Sequence, residues 1–296
     1  MTIKRITKIN HRIFQNFSWP SDLPTFERYN LIYGWNGSGK TTLSNLFRAL
    51  EKKTNITDGT VEFEFEGGNK LSGSNIYGNQ TIPKIKVFNR ELYGAFGYLK
   101  EKTVNAKQLF ILTHHFTLFR EAKNWIYYLK KKDHQKIAKY QIECERDANC
   151  RLSKICSLHK LLDEFDSEYY YLFDRVYSIG YHVASSATID QYYGLPNIAR
   201  RLVEAFFAFK RPALLKGESD KGLLEAIQST QLDIAEKTKI YRFINTFSHL
   251  RRIGEQEHEM SILSETPMIM RSVLEMIKAE DPIHFAEMKQ VIGVRV

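Results

Sequence analysis

Short apolar runs and alternating segments dominate the first 115 residues of the chain. Val61–Glu66 alternates strictly between apolar and acidic residues, which is typical of a strand with one face in solvent. Apolar runs of strand length predict further strands over Ile3–Ile9, Phe26–Tyr33, Ile85–Arg90 and Ala106–His115. Helical patterns fall between some of these strands, and this alternation indicates an α/β fold.

Helical spacing of apolar residues becomes the main pattern in the second half. Helices are predicted over residues 42–50 and 116–132 in the first half, and over residues 157–177, 197–209, 223–228, 235–253 and 268–279 in the second half. Residues 133–149 are polar and alternate in charge, which favours a solvated helix or a connector. We therefore expect an α/β domain over 1–134, a connector over 135–156 and an α-helical domain over 157–296.

The net charge of +9 is unevenly distributed. Residues 1–134 carry 21 Lys and Arg against 11 Asp and Glu, whereas residues 135–296 carry 22 against 23. A basic first half suits nucleotide phosphates or nucleic acid, although solvated lysines account for it equally well. No run approaches the ~18 apolar residues of a membrane span and no secretory core follows Met1, so a cytoplasmic protein without a membrane partner is expected. Cys144, Cys150 and Cys156 form no CxxC pair, which argues against a metal site or a disulfide framework.

One segment between a predicted strand and a predicted helix carries a complete phosphate-binding pattern. The pattern G-x-x-x-x-G-K-[ST] is matched by Gly34-Trp35-Asn36-Gly37-Ser38-Gly39-Lys40-Thr41. Its glycines allow a polyphosphate to approach the backbone N–H groups, and the following helix adds the positive end of its dipole. The candidate nucleotide-binding residues are Gly34, Asn36, Gly37, Ser38, Gly39, Lys40, Thr41 and Thr42.

The chemistry expected of this loop is binding of ATP or GTP with Mg²⁺. Lys40 would place its ammonium on the β and γ phosphates, and Thr41 would ligate the Mg²⁺ ion. The alternative is an ordinary glycine-rich turn, which the flanking strand and helix disfavour.

Together with this loop, several segments resemble the ABC-type ATPases of the PrrC and RloC anticodon nucleases, which are relatives of the SMC and RecF ATPases. The segments that carry the resemblance span residues 87–91, 108–114, 195–201, 241–249 and 277–281. The resemblance implies an ABC-type nucleotide-binding domain in a bacterial defence protein. It also implies that His114 is the switch histidine that senses the γ-phosphate, and that Asn89 stands near the position of the Q-loop residue.

The chain departs from this family in the segment between Asn89 and His114. ABC ATPases of this kind carry there a coiled-coil insertion, a signature helix and a Walker B strand ending in carboxylates. Here about 24 residues separate the two positions. The resemblance therefore implies an abbreviated domain, with an apparent internal deletion near residues 91–92. Hydrolysis is expected to be very slow, or to need a homodimer or a partner subunit that supplies the missing elements.

The helical half carries residues that resemble a ribonuclease site. In the PrrC and RloC nucleases an Arg-x-x-x-Glu pair and a downstream His are implicated in cutting tRNA, and Arg200, Glu204 and His249 match these types. Arg242 precedes His249 by a spacing that resembles the motif of HEPN ribonucleases. Metal-free RNA cleavage needs a base, a cation and an acid: His249 or Glu204 would transfer protons, and Arg200 or Arg242 would hold the phosphate. The alternative is an ordinary i,i+4 surface pair with a structural histidine.

The sequence therefore predicts an ATP-binding defence protein whose nucleotide occupancy controls metal-independent cleavage of tRNA by a HEPN-like helical domain. Two alternatives remain at this stage. One is a catalytically silent ATP-binding regulatory or interaction subunit, and the other is a RecF-like DNA-repair ATPase.

Overall fold

The computed structural model describes residues 2–35, 37–88, 106–134, 136–147, 150–181, 192, 194–215, 219–246 and 264–293. The chain divides into two compact units, unit 1 (Met1–Asp163) and unit 2 (Glu164–Val296). Among the described helices, none is both long and apolar enough to cross a membrane.

Unit 1 contains an antiparallel sheet and a mostly parallel sheet. Its strands are β1 (Ile3–His11), β2 (Phe14–Ser18), β3 (Tyr29–Gly34), β4 (Thr60–Phe65), β5 (Lys70–Ser72), β6 (Ile85–Phe88), β7 (Gln108–Thr113), β8 (Ile137–Asp147) and β9 (Cys150–Ser157). The antiparallel sheet has the order β2-β1-β4-β5, and the second sheet has the order β6-β7-β3-β8-β9. In the second sheet β6, β7, β3 and β8 are parallel, and β9 is antiparallel to β8.

Aromatic side chains fill the core of unit 1. The described α-helices of unit 1 are α1 (Lys40–Lys52), α2 (Phe116–Asp133) and α3 (Lys160–Glu164), whose last residue is the first of unit 2. Phe47 of α1 stacks on Phe110 of β7 with ring centroids 4.0 Å apart. Phe26 packs edge-on against both rings and against Tyr140 of β8. These ring contacts pack α1 against the parallel sheet, and α1 begins immediately after the turn that follows β3.

One buried amide joins the two sheets. Gln108 of β7 is fully buried, and its Oε1 accepts a hydrogen bond from the N–H of Ile3 at 2.6 Å. Its Nε2 donates to the carbonyl oxygens of Ile3 at 2.8 Å and of Glu27 at 3.1 Å. The side chain therefore satisfies three backbone groups that have little access to water, as buried polar groups require.

Helices make up all the regular secondary structure in the described residues of unit 2. Its helices are α4 (Tyr169–Tyr181), α5 (Leu195–Lys210), α6 (Ser219–Gln228), α7 (Ile234–Thr246), α8 (Thr266–Glu280) and α9 (Pro282–Val291). α8 packs on α4, α5, α7 and α9 and forms the centre of the unit. The α4–α8 contact is close because Gly180 has no Cβ: an added one would lie 3.1 Å from Leu274 Cδ1 and 3.2 Å from Arg271 N.

The structure overturns the expected connector over 135–156. This segment forms β8 and β9, and β8 pairs in parallel with β3. Ala138, Tyr140 and Ile142 are buried at every second position, which is the period of a strand. The charged and polar residues between these buried positions made the segment resemble a solvent-exposed connector in the sequence. The helix expected over 157–177 begins too early and is interrupted, because β9 ends at Ser157, a short helix covers only Lys160–Glu164, and α4 begins at Tyr169.

Replacement of Gln108 by Leu tests the link between the sheets. Gln108→Leu removes the side-chain partner of the buried N–H and carbonyl oxygen of Ile3, whereas the carbonyl oxygen of Glu27 keeps a hydrogen bond from Asn30 Nδ2 at 2.7 Å. We therefore expect the free energy of unfolding to fall by about 2–4 kcal/mol. Gln15→Leu, on the exposed face of β2, is the matched control and should change it by less than about 0.5 kcal/mol. Urea unfolding of the intact chain followed by circular dichroism measures both. Equal midpoints for the two variants would contradict the role given to Gln108.

Candidate nucleotide-binding site and a polar cluster in the helical unit

The loop from Gly34 to Thr41 connects β3 to α1. β3 is buried at all six positions and lies between β7 and β8, so parallel hydrogen bonds fix it on both edges. α1 buries an apolar face toward the sheet, formed by Leu43, Leu46, Phe47 and Leu50. The strand and the helix that the sequence predicts on either side of Lys40 are therefore both present.

Two glycines and one lysine define the shape of the loop. Gly37 and Gly39 have φ angles of 80° and 102°, which residues with side chains rarely adopt. The carbonyl oxygen of Trp35 accepts hydrogen bonds from Ser38 N–H at 3.1 Å and from Lys40 Nζ at 2.6 Å. The lysine ammonium is thereby held across the loop, close to its first residues.

The N-terminus of α1 opens onto the same loop. Gly39 is the N-cap residue and supplies no side-chain cap, and the hydrogen bond from Leu43 N to Gly39 O is 2.9 Å long. The first N–H groups of a helix have no intrahelical acceptor and carry the positive end of its dipole. With the cation of Lys40 they form an arrangement that suits a phosphate.

The packing inside the loop agrees with this chemistry. A Cβ at Gly34 would lie 2.5 Å from Ser38 Oγ and 3.2 Å from the carbonyl oxygen of Ile142, so only glycine fits at position 34. Ser38 is 3% exposed, and among the described residues its hydroxyl has no hydrogen-bond partner. A buried hydroxyl without a partner costs free energy, and a phosphate oxygen is an acceptor that would remove this cost. The residues present therefore fit a bound nucleotide.

His114 lies at the same edge of the sheet as the loop. β7 pairs with β3 so that Thr113 is opposite Tyr33, and His114 therefore follows at the level of Gly34. Its side chain is half-buried. Ligands of open α/β sheets bind beyond the carboxyl ends of the parallel strands, which is where the loop and His114 both stand.

The other expected nucleotide ligands have different settings. Thr41 is exposed at the start of α1, where a hydroxyl can reach a bound ion, whereas Thr42 is buried. Asn36 and Asn89 lie outside the described residues, as does the expected deletion near 91–92. β6 and β7 are hydrogen-bonded neighbours, so no strand lies between them in the described part of the sheet.

Unit 2 brings Arg200 together with three acceptor side chains from three helices. Its Nε donates to Glu204 Oε1 at 2.8 Å, one turn along α5, and its Nη1 donates to Asn245 Oδ1 of α7 at 3.0 Å. Its Nη2 donates to Asp220 in the first turn of α6. We call these four residues the Arg200 cluster. Asp220 was not among the expected site residues, since no spacing rule connects it to the motif.

The Arg200 cluster contains a buried cation and two accessible carboxylates. The Arg200 side chain is 11% exposed, whereas those of Glu204 and Asp220 are 34% and 49% exposed. Burial acts against the charged guanidinium, but hydrogen bonds to Asp220 and Glu204 outweigh this effect and raise the pKa of Arg200. Arg242 lies on the exposed side of α7, one turn before Asn245. His249 lies outside the described residues.

Alanine at position 39 is expected to distort the phosphate loop. Its Cβ would meet Ser153 Oγ at 2.9 Å and Ile13 Cδ1 at 3.0 Å, in addition to the strain of a φ of 102°. Gly39→Ala should therefore lower the free energy of unfolding by about 2–3 kcal/mol and weaken nucleotide binding at least about 100-fold. Gly67→Ala is the control, because φ is 90° there and nothing lies within 4 Å. Thermal melting and calorimetry with ATP would show whether the two variants differ.

Removal of the central cation tests the Arg200 cluster. Arg200→Met keeps the length of the side chain but removes the guanidinium, so Glu204, Asp220 and Asn245 lose the donor that they share. Because these carboxylates are partly solvated, we expect a loss of about 2 kcal/mol in the free energy of unfolding rather than the larger cost at a fully buried pair. Arg242→Met, on the exposed face of α7, should cost less than about 0.5 kcal/mol. Unfolding in urea that gives the same result for both would show that the cluster does not stabilise the helices.

Comparison with known proteins gives one family match. The model of the AAA_13 family, described as an AAA domain, matches residues 10–92 and 90–275. No curated protein and no solved structure matches the chain. The family match includes the phosphate loop, His114 and the Arg200 cluster. The chain therefore belongs to this AAA-domain family of SMC- and RecF-like ATPases, and it carries a P-loop ATPase-like, nucleotide-binding domain.

Proposed function

We propose that unit 1 binds ATP or GTP with Mg²⁺ and that occupancy of this site controls metal-independent RNA cleavage by unit 2, as in an anticodon nuclease. The observation that carries the nucleotide part is the loop between β3 and α1, where two left-handed glycines, the Lys40 ammonium and an uncapped helix N-terminus converge. The proposal for RNA rests on the Arg200 cluster and on the resemblance to the PrrC and RloC nucleases.

Within unit 1 the phosphates would be held by the backbone N–H groups of Gly37, Gly39 and Lys40 and by the Lys40 ammonium, whereas the Ser38 N–H already donates to the carbonyl oxygen of Trp35. Thr41 would hold Mg²⁺, and His114 would contact the γ-phosphate from the end of β7. A bound Mg²⁺-nucleotide would bring the charges of the ion and of the phosphates into the site, and neither the loop nor His114 carries these charges alone. Nucleotide binding of this kind suits a switch, because the γ-phosphate would contact both the loop after β3 and His114, which follows β7.

Slow hydrolysis is part of the proposal. Hydrolysis of a nucleotide needs a group that orients the attacking water, in addition to the cations that hold the phosphates. The sequence between Asn89 and His114 lacks the carboxylates of a Walker B strand. The chain would then retain its nucleotide for long periods, unless a second copy or a partner subunit supplies this group.

The RNA chemistry assigned to unit 2 is an attack of the 2′ oxygen on the neighbouring phosphorus. A base removes the 2′ hydroxyl proton, the bond from phosphorus to the 5′ oxygen breaks, and an acid protonates this leaving oxygen. Glu204 is accessible and hydrogen-bonded to Arg200, which suits it for the role of base. His249 would supply the acid, and the products would be a 2′,3′-cyclic phosphate and a 5′ hydroxyl.

The surroundings of the two arginines favour a different role for each. Arg200 already donates to Glu204, Asn245 and Asp220, so its guanidinium is committed to orienting carboxylates. Arg242 is exposed on the adjacent helix, α7, and is the better candidate for contact with an RNA phosphate. We therefore assign Arg200 as a positioning residue and Arg242 as the phosphate-binding cation.

The same commitment of Arg200 also favours a second candidate function. A guanidinium with one acceptor on each of three helices is what a purely structural cluster requires. In that case the chain would be a catalytically silent ATP-binding regulatory or interaction subunit. Nucleotide binding would persist, and RNA cleavage would be absent.

An RNA cleavage assay distinguishes the two functions. Purified protein is incubated with total tRNA, with and without ATP and Mg²⁺, beside Lys40→Ala, Glu204→Gln and His249→Ala. We expect discrete tRNA fragments with cyclic phosphate ends from the wild-type chain, cleavage at least about 100-fold slower for Glu204→Gln and His249→Ala, and loss of the response to ATP for Lys40→Ala. Glu287→Gln, an exposed carboxylate on α9, is the control and should cleave normally.

Three results would change the proposal. Intact tRNA in every reaction, with ATP binding retained, would identify the silent subunit. ATP turnover that DNA stimulates and that Glu204→Gln leaves unchanged would identify a RecF-like repair ATPase. Absence of ATP and GTP binding by the folded wild-type chain would remove the nucleotide site itself.

A further inference from the structure

A serine of β9 borders the phosphate loop. Ser153 is 4% exposed, and no residue that the structure describes hydrogen-bonds to its Oγ. It lies against Gly39, since a Cβ on this glycine would approach Ser153 Oγ to 2.9 Å. The hydroxyl is therefore buried and close to the N-cap residue of α1, and the described residues leave it unsatisfied.

The position of Ser153 is fixed by its backbone. Its N–H donates to the carbonyl oxygen of Ile13 at 2.7 Å, in the turn between β1 and β2. The ladder between β9 and β8 places it opposite Cys144. Two independent contacts thus hold the hydroxyl beside the loop, and the side chain can change only its rotamer.

We propose that Ser153 is a further nucleotide-binding residue, whose hydroxyl donates a hydrogen bond to an oxygen of the nucleotide bound at the loop. This inference rests on the proposed nucleotide site and adds to it a donor from β9, more than a hundred residues from Lys40. The ligand it requires is an anionic or polar oxygen beside Gly39, which both the phosphates and the ribose of a nucleoside triphosphate can offer.

The physical reason is the cost of the unsatisfied hydroxyl. Burial removes water from Ser153 Oγ, and the described residues give it no partner. Such groups are rare in folded proteins and call for an explanation, which a ligand acceptor would supply. Ser38, with its own unpartnered hydroxyl beside Gly34, has the same property at the other end of the loop. Both hydroxyls therefore lie close to glycines of the loop that would carry the phosphates.

Ser153→Ala tests this role because ligand binding and folding should respond with opposite signs. Removal of an unsatisfied hydroxyl should leave the melting temperature of the nucleotide-free protein unchanged or raise it. The dissociation constant for Mg²⁺-ATP, measured by calorimetry, should increase about tenfold, as expected for loss of a hydrogen bond to a charged group. Ser153→Cys, which keeps a side chain of similar shape but donates weakly, should resemble Ser153→Ala. Ser157→Ala, at the exposed end of β9, is the control and should bind as the wild type does.

A second titration with Mg²⁺-tripolyphosphate distinguishes the acceptor. A similar loss for this ligand would assign the contact to a phosphate, and a loss confined to ATP would assign it to the ribose. Unchanged ATP affinity in Ser153→Ala, or a clear fall in the melting temperature without nucleotide, would overturn the role of Ser153 while leaving the nucleotide site intact. Failure of the wild-type chain to bind ATP would overturn both.

Discussion

The parallel hydrogen bonds on both edges of β3 are the constraint on which unit 1 depends. Every residue of this strand is buried, and its pairing with β7 and β8 brings the carboxyl ends of three strands to one edge of the sheet. A shift of one residue in either ladder would turn buried side chains to the opposite face. The packing of specific side chains on each face thereby fixes the register, and with it the positions of the loop after Gly34 and of His114.

The candidate nucleotide site draws on segments that are far apart in the chain. The loop supplies the glycines and Lys40, β7 supplies His114, and β9 supplies Ser153. β9 reaches the loop because it returns antiparallel along β8 and hydrogen-bonds through Ser153 N–H to Ile13. Under the proposal for Ser153, the strand pair β8 and β9 would be part of the site as well as part of the sheet.

The sequence predicts the phosphate loop well because eight consecutive residues specify it, and because a glycine with positive φ leaves a local signal. It predicts the contact of Arg200 with Glu204 for the same reason, since residues at i and i+4 share a helix face. Asp220 and Ser153 leave no such signal, because each reaches its partner only through the tertiary fold.

The missed hairpin shows how two patterns compete in one segment. Tyr140 and Ile142 mark the period of a strand, but Lys139 and Glu143 beside them mark a solvated surface. Pairing with β3 decided the outcome, and this pairing cannot be read from the segment itself. The assignments of Asn89 and His249 stay predictions.

Nucleotide binding and hydrolysis depend on different parts of such a chain. Binding needs donors, and Lys40 now donates to a neutral carbonyl oxygen of Trp35 at 2.6 Å. An anionic phosphate is a stronger acceptor than a carbonyl, so transfer of the ammonium to a phosphate is favourable without any change in the sheet. Hydrolysis needs, in addition, a carboxylate or an equivalent group aimed at a water molecule, and no residue within the loop can supply it. Under our proposal, the chain would therefore report the presence of a nucleotide rather than consume it.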